Sequence, residues 1–564
     1  MSTASNIVVP DGFTLHTENT SHILLESNKA FLNPVQEFNR DTSVACIRVW
    51  SEELNKSKEE RWRQHQEKRA KKQKGGVAKK RKESEETPAR ELLTSVGGAD
   101  DSKVEAPCST IRTPEGLVGK CSSGRKPYKF ILLEALSATG LRSIRYAKEI
   151  PLLKHVIAND LSPSATAAMR RNIEINDLGS AHDASGKVRI NEGDACTLMY
   201  SHREEKDRVD VVDLDPYGTA APFIDAAVQC VKDGGLLCVT CTDLSVLATT
   251  NYPEKCFSNY GGVPVKAEYC HEAALRLVLH TLSTSASRYG RYIEPLVSLS
   301  IDFYVRIFVR VKTSPLEVKK ALTKTSAYYI CSACQSFYEQ PLGRVIEKQS
   351  AAGNINYLFK IQNGPGVAQK CPECDSALHM AGPMWSGPLH DSKFVSKVLD
   401  HLEANQDKYG TAVRMKGMLT VAQEELDVPF YFTPARIASS FHCITPTLEE
   451  IASALLHAGH KISRSHACAG SLKTTATRED VHNVFRSWIK LKPVKMENIS
   501  ENSPARRLLA KEPSFEANFK RHPDSVTPSG KMKLVRYQEN PTSHWGPGTK
   551  AVGGSKRKRA KDDI

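Results

Sequence analysis

The sequence lacks any apolar run near the ~18 residues needed to cross a bilayer, which excludes a membrane span from the expected architecture. Its first ten residues lack a basic start followed by an apolar stretch, so no secretory leader is expected. Asp11, Glu18 and Glu26 fit poorly with an acid-poor transit peptide. Cysteines are not scarce, but their number, 15, is odd. Scattered through a chain without a leader, they argue for free thiols in a reducing compartment and against a disulfide framework.

What is present is a chain of 564 residues, 40% hydrophobic and 25% charged, with a net charge of +14. That length predicts about three domains. The charge is concentrated. Residues 55–90 carry 14 basic and 6 acidic side chains, and residues 504–564 carry the same numbers. Residues 1–54 are acidic, and residues 91–503 are close to neutral. The segment KEERWRQHQEKRAKKQKGGVAKKRK has no sustained apolar face, so it reads as disordered or as a solvated helix. Its lysine clusters, and Lys556 to Arg559 near the end, suit nuclear import, an RNA-binding arm, or both. The plain alternative is a solvated linker.

Four cysteines stand apart from the rest. Cys331-x-x-Cys334 and Cys371-x-x-Cys374 form two knuckles, and two such turns can close a tetrahedral thiolate shell around zinc. A closed shell is structural, because it leaves no open coordination position. The long intervening segment predicts a hairpin or insertion. His466 and Cys468 also lie close together, and such a pair reads as packing.

Residues 128–312 alternate strands and helices, which predicts a mostly parallel, Rossmann-like sheet. The first strand, Phe130 to Leu133, leads into Glu134-Ala-Leu-Ser-Ala-Thr-Gly140 and a helix from Leu141. This loop holds one glycine and no Gly-x-Gly-x-x-Gly. The second strand ends at Asp160, 20 residues after Gly140, where an acid can hold ribose hydroxyls. The third ends at Gly193-Asp194-Ala195, where a carboxylate can accept from an adenine amine. The fourth, Val209 to Leu214, ends at Asp215-Pro216-Tyr217-Gly218. Three acids at successive strand ends line one carboxyl edge, where open α/β sheets bind ligands.

Asp215-Pro216-Tyr217-Gly218 resembles the (Asn/Asp)-Pro-Pro-(Tyr/Phe) signature of adenosylmethionine-dependent amino methyltransferases. An exocyclic amine is a poor nucleophile because its lone pair is delocalised into the ring. A carboxylate accepting one N–H localises that pair and aims it, and orientation supplies much of the remaining rate. The aromatic after the proline can stack on the base. A carbon-5 pyrimidine methyltransferase would need a cysteine nucleophile on this edge. The one Pro-Cys pair, Pro107-Cys108, lies in a polar linker upstream. An ordinary Asp-Pro turn is the plain alternative for residues 215–218.

Taken in order, the motifs resemble the tRNA (guanine-26-N2) dimethyltransferase family of the eukaryotic type. The matching pieces are Phe31-Leu-Asn33-Pro34 with Asn39-Arg40-Asp41, the Leu136 to Arg142 loop, Asn159 to Pro163, Gly193 to Ala195 and Asp215 to Gly218. The two cysteine knuckles and Asn540-Pro541 with Trp545-Gly546-Pro547 complete the set. The resemblance implies that Arg40, Arg142, Asp160, Asp194 and Ala195 contact S-adenosylmethionine. It implies that Asp215 orients the guanine amine and that Phe31 and Tyr217 sandwich the flipped base. The implied product is N2,N2-dimethylguanosine in tRNA, made by two successive transfers. Arg40 has an independent claim, since a guanidinium can hold the cofactor carboxylate bidentately. The basic insertion departs from the family pattern and obscures the alignment between residues 50 and 125.

The expected organisation is a cofactor- and base-contacting segment at 1–54, a basic, largely disordered insertion at 55–125, and a methyltransferase domain at 126–318. A C-terminal α+β domain with the zinc knuckles and an RNA-binding role follows at 319–503, then a basic tail at 504–564. Arg436, Lys461 to Arg464 and Lys473 are candidate RNA cations, and Pro446 to Trp488 suggests a small helical unit with a hairpin, resembling a winged helix. A dimerisation or packing domain is the alternative there. The expected cofactors are S-adenosylmethionine and structural zinc. The expected partner is tRNA, with no membrane span and no obligate protein partner evident. The expected compartment is the nucleus, with mitochondrion and cytoplasm as further sites. Two other readings stand beside this one: an amino methyltransferase acting on another nucleic acid, and an RNA-binding or chaperone protein with an inactive methyltransferase fold.

Overall fold

A computed structural model describes residues 7–26, 32–83, 125–179, 186–351, 353–531 and 535. The chain divides into two compact units, Met1–Val49 with Phe130–Ile564, and Trp50–Lys129. Among the described residues no helix is long and apolar enough to cross a membrane.

In the larger unit a hairpin of β1 (Phe13–Glu18) and β2 (Ser21–Glu26) precedes the long helix α1 (Glu37–Glu83), which continues into the smaller unit. Then β3 (Phe130–Glu134), α2 (Leu141–Glu149), β4 (Leu153–Asp160), α3 (Pro163–Glu174), β5 (Val188–Glu192), α4 (Ala195–Ser201), β6 (Val209–Leu214), α5 (Ala221–Cys230) and β7 (Val231–Cys241) alternate. Helices α6 (Leu244–Leu247), α7 (Pro253–Tyr260) and α8 (Cys270–Ser287) lead to the hairpin β8 (Arg291–Ile301) and β9 (Tyr304–Thr313). Seven strands form one sheet in the order β5-β4-β3-β6-β7-β9-β8. The first five are parallel, and β9 and β8 close the edge antiparallel. Strands such as Val209–Leu214 are apolar and buried at every position except their aspartates' charge, as a sheet covered on both faces requires. The expected mostly parallel, Rossmann-like sheet is present.

After α9 (Pro315–Lys320) come β10 (Thr325–Cys331), β11 (Phe337–Pro341), β12 (Gly343–Gln349), β13 (Ile355–Ile361) and β14 (Leu378–Trp385). The β12–β13 hairpin occupies the segment between the cysteine knuckles, where a hairpin or insertion was expected. Tyr328, Ile330 and Met384 of this small sheet share a core with Val212 and Leu237 of the large one, across α8. Helices α10 (Ser392–Ala404), α11 (Ala412–Glu424), α12 (Pro434–Phe441) and α13 (Leu448–His457) precede the hairpin β15 (Ile462–Arg464) and β16 (Leu472–Thr474). Helices α14 (Arg478–Leu491) and α15 (Pro504–Ala510) end the regular structure. Capping boxes at Thr447 with Glu450 and at Thr477 with Asp480 fix the starts of α13 and α14.

Lys473 corrects one expectation. It is 1% exposed and pairs with Glu425 at 3.0 Å and Glu272 at 3.3 Å, so it offers no charge to RNA. Arg436 and Lys461 are exposed.

In the smaller unit, residues 55–83 are helical, which selects the helix from the two readings of the basic segment. Its side chains through residue 69 are mostly exposed, as the missing apolar stripe requires. Asn55 clips the returning chain: its Oδ1 accepts from the Tyr128 N–H at 2.7 Å and its Nδ2 donates to the Tyr128 carbonyl at 2.9 Å. Lys58 sits over the Tyr128 ring. Residues 84–124 and the motifs at 540–547 and 556–559 lie outside the described residues.

Candidate active site

Strand order turns back between β3 and β6, so the crevice for a ligand lies outside their carboxyl ends. Backbone shape prepares it. Gly140 has φ +78°, and a Cβ there would lie 3.0 Å from Met169 Cγ on α3. Glycine therefore serves both a left-handed turn and a close approach. Asp160 organises the same loop, accepting from the Ala138 N–H and the Ser162 N–H, each at 2.9 Å. Asn159 ties three strand ends together. Its Nδ2 donates to the carbonyls of Ala135 and Gly193 at 2.9 and 3.1 Å, and its Oδ1 accepts from Asn191 at 2.7 Å. Asp194 caps α4 by accepting from the Thr197 N–H at 2.7 Å and stays exposed, with Ala195 buried beside it.

Below the crevice lies a charged cluster. Asp213 is fully buried and accepts from Tyr146 Oη at 2.5 Å and Arg306 Nη1 at 2.8 Å. Arg306 also donates to Thr240 Oγ1 at 3.0 Å and to Ser43 Oγ of α1 at 2.8 Å. Arg142 donates to the same Ser43 hydroxyl at 3.1 Å and bonds Asp215 Oδ2. Glu134 accepts from Ser143 Oγ. Burial pushes the Glu134 carboxyl up to about 8, despite the opposing pull of Arg142, so it is neutral at pH 7. Two arginines then face two aspartates, and the buried set carries no net charge.

Asp215 is the member nearest water, its side chain 24% exposed. Arg142 holds Oδ2, and Oδ1 has no hydrogen bond among the described residues. Next to it Pro216 is buried and Tyr217 is 89% exposed. The loop is pinned at Gly218, where φ is +91°, by two 2.8 Å bonds: its N–H to Thr242 Oγ1, and the Thr242 N–H to its carbonyl. An exposed aromatic ring thus stands beside a carboxylate held on one oxygen.

The expected site residues Arg142, Asp160, Asp194, Ala195, Asp215 and Tyr217 gather at this edge. Arg40 is held differently. Its fork is filled by Glu18 of β1, with Nε to Oε2 at 2.7 Å, and Arg145 reaches the same carboxylate at 3.2 Å. Phe31 lies outside the described residues. Sequence reasoning missed Glu18, Glu134, Asp213 and Arg306. A signal existed for the last two: each is a charge set between apolar residues of a strand. A cavity of about 150 Å³ adjoins the turn between β8 and β9 and is lined by Asp302 and Arg414, which pair at 2.7 Å.

The cysteine knuckles converge. Cys331 and Cys374 Sγ are 3.4 Å apart, Cys334 and Cys371 Sγ 3.7 Å, and all four lie within 4.8 Å. Tetrahedral zinc with ~2.3 Å bonds sets sulfurs about 3.8 Å apart, so the four thiols fit one ion. Both knuckles use one local design. The Cys331 N–H bonds the Ser336 carbonyl at 2.8 Å and the Cys371 N–H bonds the Ser376 carbonyl at 2.9 Å. Gln335 and Asp375, just after the second cysteines, have φ +57° and +58°. Within the second knuckle Glu373 accepts from His482 at 2.9 Å and Arg486 at 2.7 Å, which fastens α14 to it.

His390, Glu425 and His466 form another buried group with ligand atoms in reach of one another. Its protons argue against a metal. His390 Nδ1 accepts from the Ser298 N–H at 3.3 Å, and His466 Nε2 accepts from the Ser300 N–H at 3.2 Å. Each ring therefore carries its hydrogen on the nitrogen facing Glu425. His466 donates it at 2.6 Å, and Lys473 supplies the balancing charge at 3.0 Å. His466 is thus a carboxylate partner, and its nearness to Cys468 in sequence is incidental.

An exocyclic amine entering the crevice meets a carboxylate oxygen and a stacking face, and the sheet beneath has the strand-end acids of a cofactor site. These define an α/β methyltransferase equipped for an amino acceptor. The model of the N2,N2-dimethylguanosine tRNA methyltransferase family matches residues 12–486, and the chain belongs to that family. A tRNA (guanine(26)-N(2))-dimethyltransferase of Schizosaccharomyces pombe is 44% identical, covering 93% of this chain and 90% of its own length. The one of Mus musculus is also 44% identical, covering 97% and 78%. A Saccharomyces cerevisiae relative, named as mitochondrial, is 40% identical over 95% and 92%. The solved complex of Trm1 from Pyrococcus horikoshii with S-adenosyl-L-methionine shares the fold, with TM-score 0.58, 24% identity, and coverage of 83% of this chain and 98% of that one.

Proposed function

We propose that this protein transfers methyl groups from S-adenosylmethionine to the exocyclic N2 of guanine 26 in tRNA, in two successive steps. The observation that carries this reading is Asp215, fixed on one oxygen by Arg142 and flanked by the exposed Tyr217, at the carboxyl end of β6 in a member of this family. S-adenosylmethionine supplies an electrophilic methyl group. Asp215 Oδ1 accepts an N–H of the base amine and turns its lone pair toward that methyl. As the C–N bond forms and the S–CH3 bond breaks, the amine becomes cationic, and Asp215 stabilises the charge until a proton leaves. The second transfer repeats this on the remaining N–H. Tyr217 stacks on the extruded base from one side and Phe31 from the other, offsetting an extrusion cost of a few kcal/mol.

Asp160, Asp194 and Ala195 line the cofactor's nucleoside end, where Asp160 and the unused oxygen of Asp194 suit ribose hydroxyls and an adenine amine. Arg142 and Arg40 face the methionine end, where the cofactor carboxylate competes with Glu18 for the Arg40 fork. Cys331, Cys334, Cys371 and Cys374 hold a structural zinc ion. Residues 319–503 bind tRNA, the basic helix and tail add phosphate contacts and nuclear import, and the yeast relative's name supports a mitochondrial pool as well.

The test is tritiated methyl transfer to an unmodified tRNA transcript and to its counterpart with adenine at position 26. Incorporation into the first alone is expected. Equal incorporation into both would discard the position, and incorporation into neither would favour an RNA-binding protein with an inactive fold.

A further inference from the structure

Beside the catalytic carboxylate the sheet carries an unfinished row. Along one face of the strands Arg306 of β9 reaches Asp213 of β6 across Thr240 of β7, closing that row with hydrogen bonds. Two residues further on, just past the ends of β6 and β7, stand Asp215 and Thr242, and Tyr304 opens β9 one residue beyond the last β7–β9 pair, Cys241 with Val305. Tyr304 shares its face of β9 with Arg306, and Thr242 is bonded to Gly218 of the Asp215 loop. Among the described residues no side chain bridges Tyr304 and Asp215. Asp215 Oδ2 is held by Arg142 and its other oxygen is open, while Tyr304 Oη, in a residue 3% exposed, has no hydrogen-bond partner among the described residues.

A buried hydroxyl without a partner is destabilising. That cost is explained if a ligand completes the row. Burial raises the Tyr304 pKa, and the charges acting on it are those of Arg414, Asp302, Asp215 and Arg142. The phenol therefore stays protonated and is a donor at neutral pH. It lies between two ion pairs, Arg142 with Asp215 and Arg414 with Asp302.

Two strand spacings of ~4.8 Å separate β6 from β9, a span that matches the edge of a purine with a hydrogen bond at each end. On the Watson–Crick edge of guanine, N2 bears donors at one end and O6 accepts at the other. We propose that Tyr304 is a specificity-determining residue, donating its hydroxyl to O6 of the guanine whose N2 is held by Asp215. This rests on the proposed function and adds the means by which the site tells guanine from a purine amine without a 6-oxo group.

The experiment compares wild-type enzyme with Tyr304→Phe under single-turnover conditions. Two tRNA transcripts are used, one with guanine at position 26 and one with 2-aminopurine, which keeps the amine and lacks O6. Wild type is expected to prefer guanine strongly, since a site built to bond a substrate group rejects an analogue lacking it. In Tyr304→Phe the rate on guanine is expected to fall tenfold to a hundredfold, on the order of 1.4–2.7 kcal/mol at 1.36 kcal/mol per factor of ten. The rate on 2-aminopurine is expected to stay within about twofold. The Tm is expected to hold or rise, because an unpartnered hydroxyl has been removed. Equal losses on both substrates, or an unchanged guanine rate, would overturn the proposal. If 2-aminopurine gives no measurable transfer, the guanine rate and Tm decide: retained rate, or lost rate with lowered Tm, would overturn it. Failure of wild type to methylate guanine 26 would instead overturn the function on which it rests.

Discussion

Two buried charged clusters invite comparison. Around Glu425 the carboxylate is held on both oxygens: Lys473, His466 and Ser465 bond it, and backbone N–H groups from β8 fix the imidazoles, while the buried His390 Nε2 has no hydrogen-bond partner among the described residues. Around Asp215 the bonding stops short. The carboxylate has an open oxygen, Tyr304 has an unpaired hydroxyl, and Tyr217 faces water. Burial and charge are common to both, so they do not mark function. What separates them is an unengaged carboxylate oxygen beside an exposed ring at the carboxyl edge of the sheet, and a site must leave bonds for a substrate to make.

The largest expected effect tests the closed side of this contrast at the cysteine shell. Stripping zinc with a chelator is expected to release about one ion per chain and to unfold the docking of α14, since structural zinc contributes on the order of 10 kcal/mol in small metal domains. Metal analysis paired with limited proteolysis checks it. A chain that loses no zinc, or that keeps its protease resistance after losing it, contradicts the structural role. Next is Lys473→Met, which leaves Glu425 buried without its balancing cation. A loss of about 3–5 kcal/mol in urea unfolding is expected, and a loss below 1 kcal/mol would show that the cluster is not closed by charge.

On the open side, Tyr217→Ala is expected to reduce kcat/KM for tRNA tenfold to a hundredfold, from ~1–3 kcal/mol of stacking. Its Tm is expected to be unchanged, because an exposed ring supports little packing. An unchanged kcat/KM would remove Tyr217 from the base site. The smallest effect concerns Glu134. Its carboxyl titrates at about 8 in the folded chain against 4.5 ordinarily. Between those values the folded state holds a proton that the unfolded state has released, so stability falls as pH rises through that window. Glu134→Gln removes the titration. Its Tm relative to wild type is expected to rise between pH 5 and pH 9, and a pH-independent difference would contradict the assignment.

The sheet and the open side were largely legible in sequence. Strands with near-continuous apolar runs, each ended by an acid or a glycine, announce a parallel sheet, and Asp215 to Gly218 carries the pattern on which the proposed chemistry rests. Two knuckles of fixed spacing announce the thiolate shell in the same way. The closed side was not legible. Glu425 meets His390, His466 and Lys473 from separate segments, and no local pattern records such a meeting, so Lys473 read as a surface cation. Arg40 shows the same limit, since its fork is filled by Glu18 from a hairpin 22 residues earlier. Arg306 was readable in principle, as a charge set between apolar residues of a strand, but its partners were not.

The central claim is that chemistry occurs at the open oxygen of Asp215. The most direct measurement is the single-turnover rate of methyl transfer to guanine-26 tRNA by Asp215→Asn, with S-adenosylmethionine binding and Tm measured on the same protein. The account predicts a rate lower by about 10²–10⁴, with cofactor binding and Tm close to wild type. A rate within threefold of wild type would contradict it.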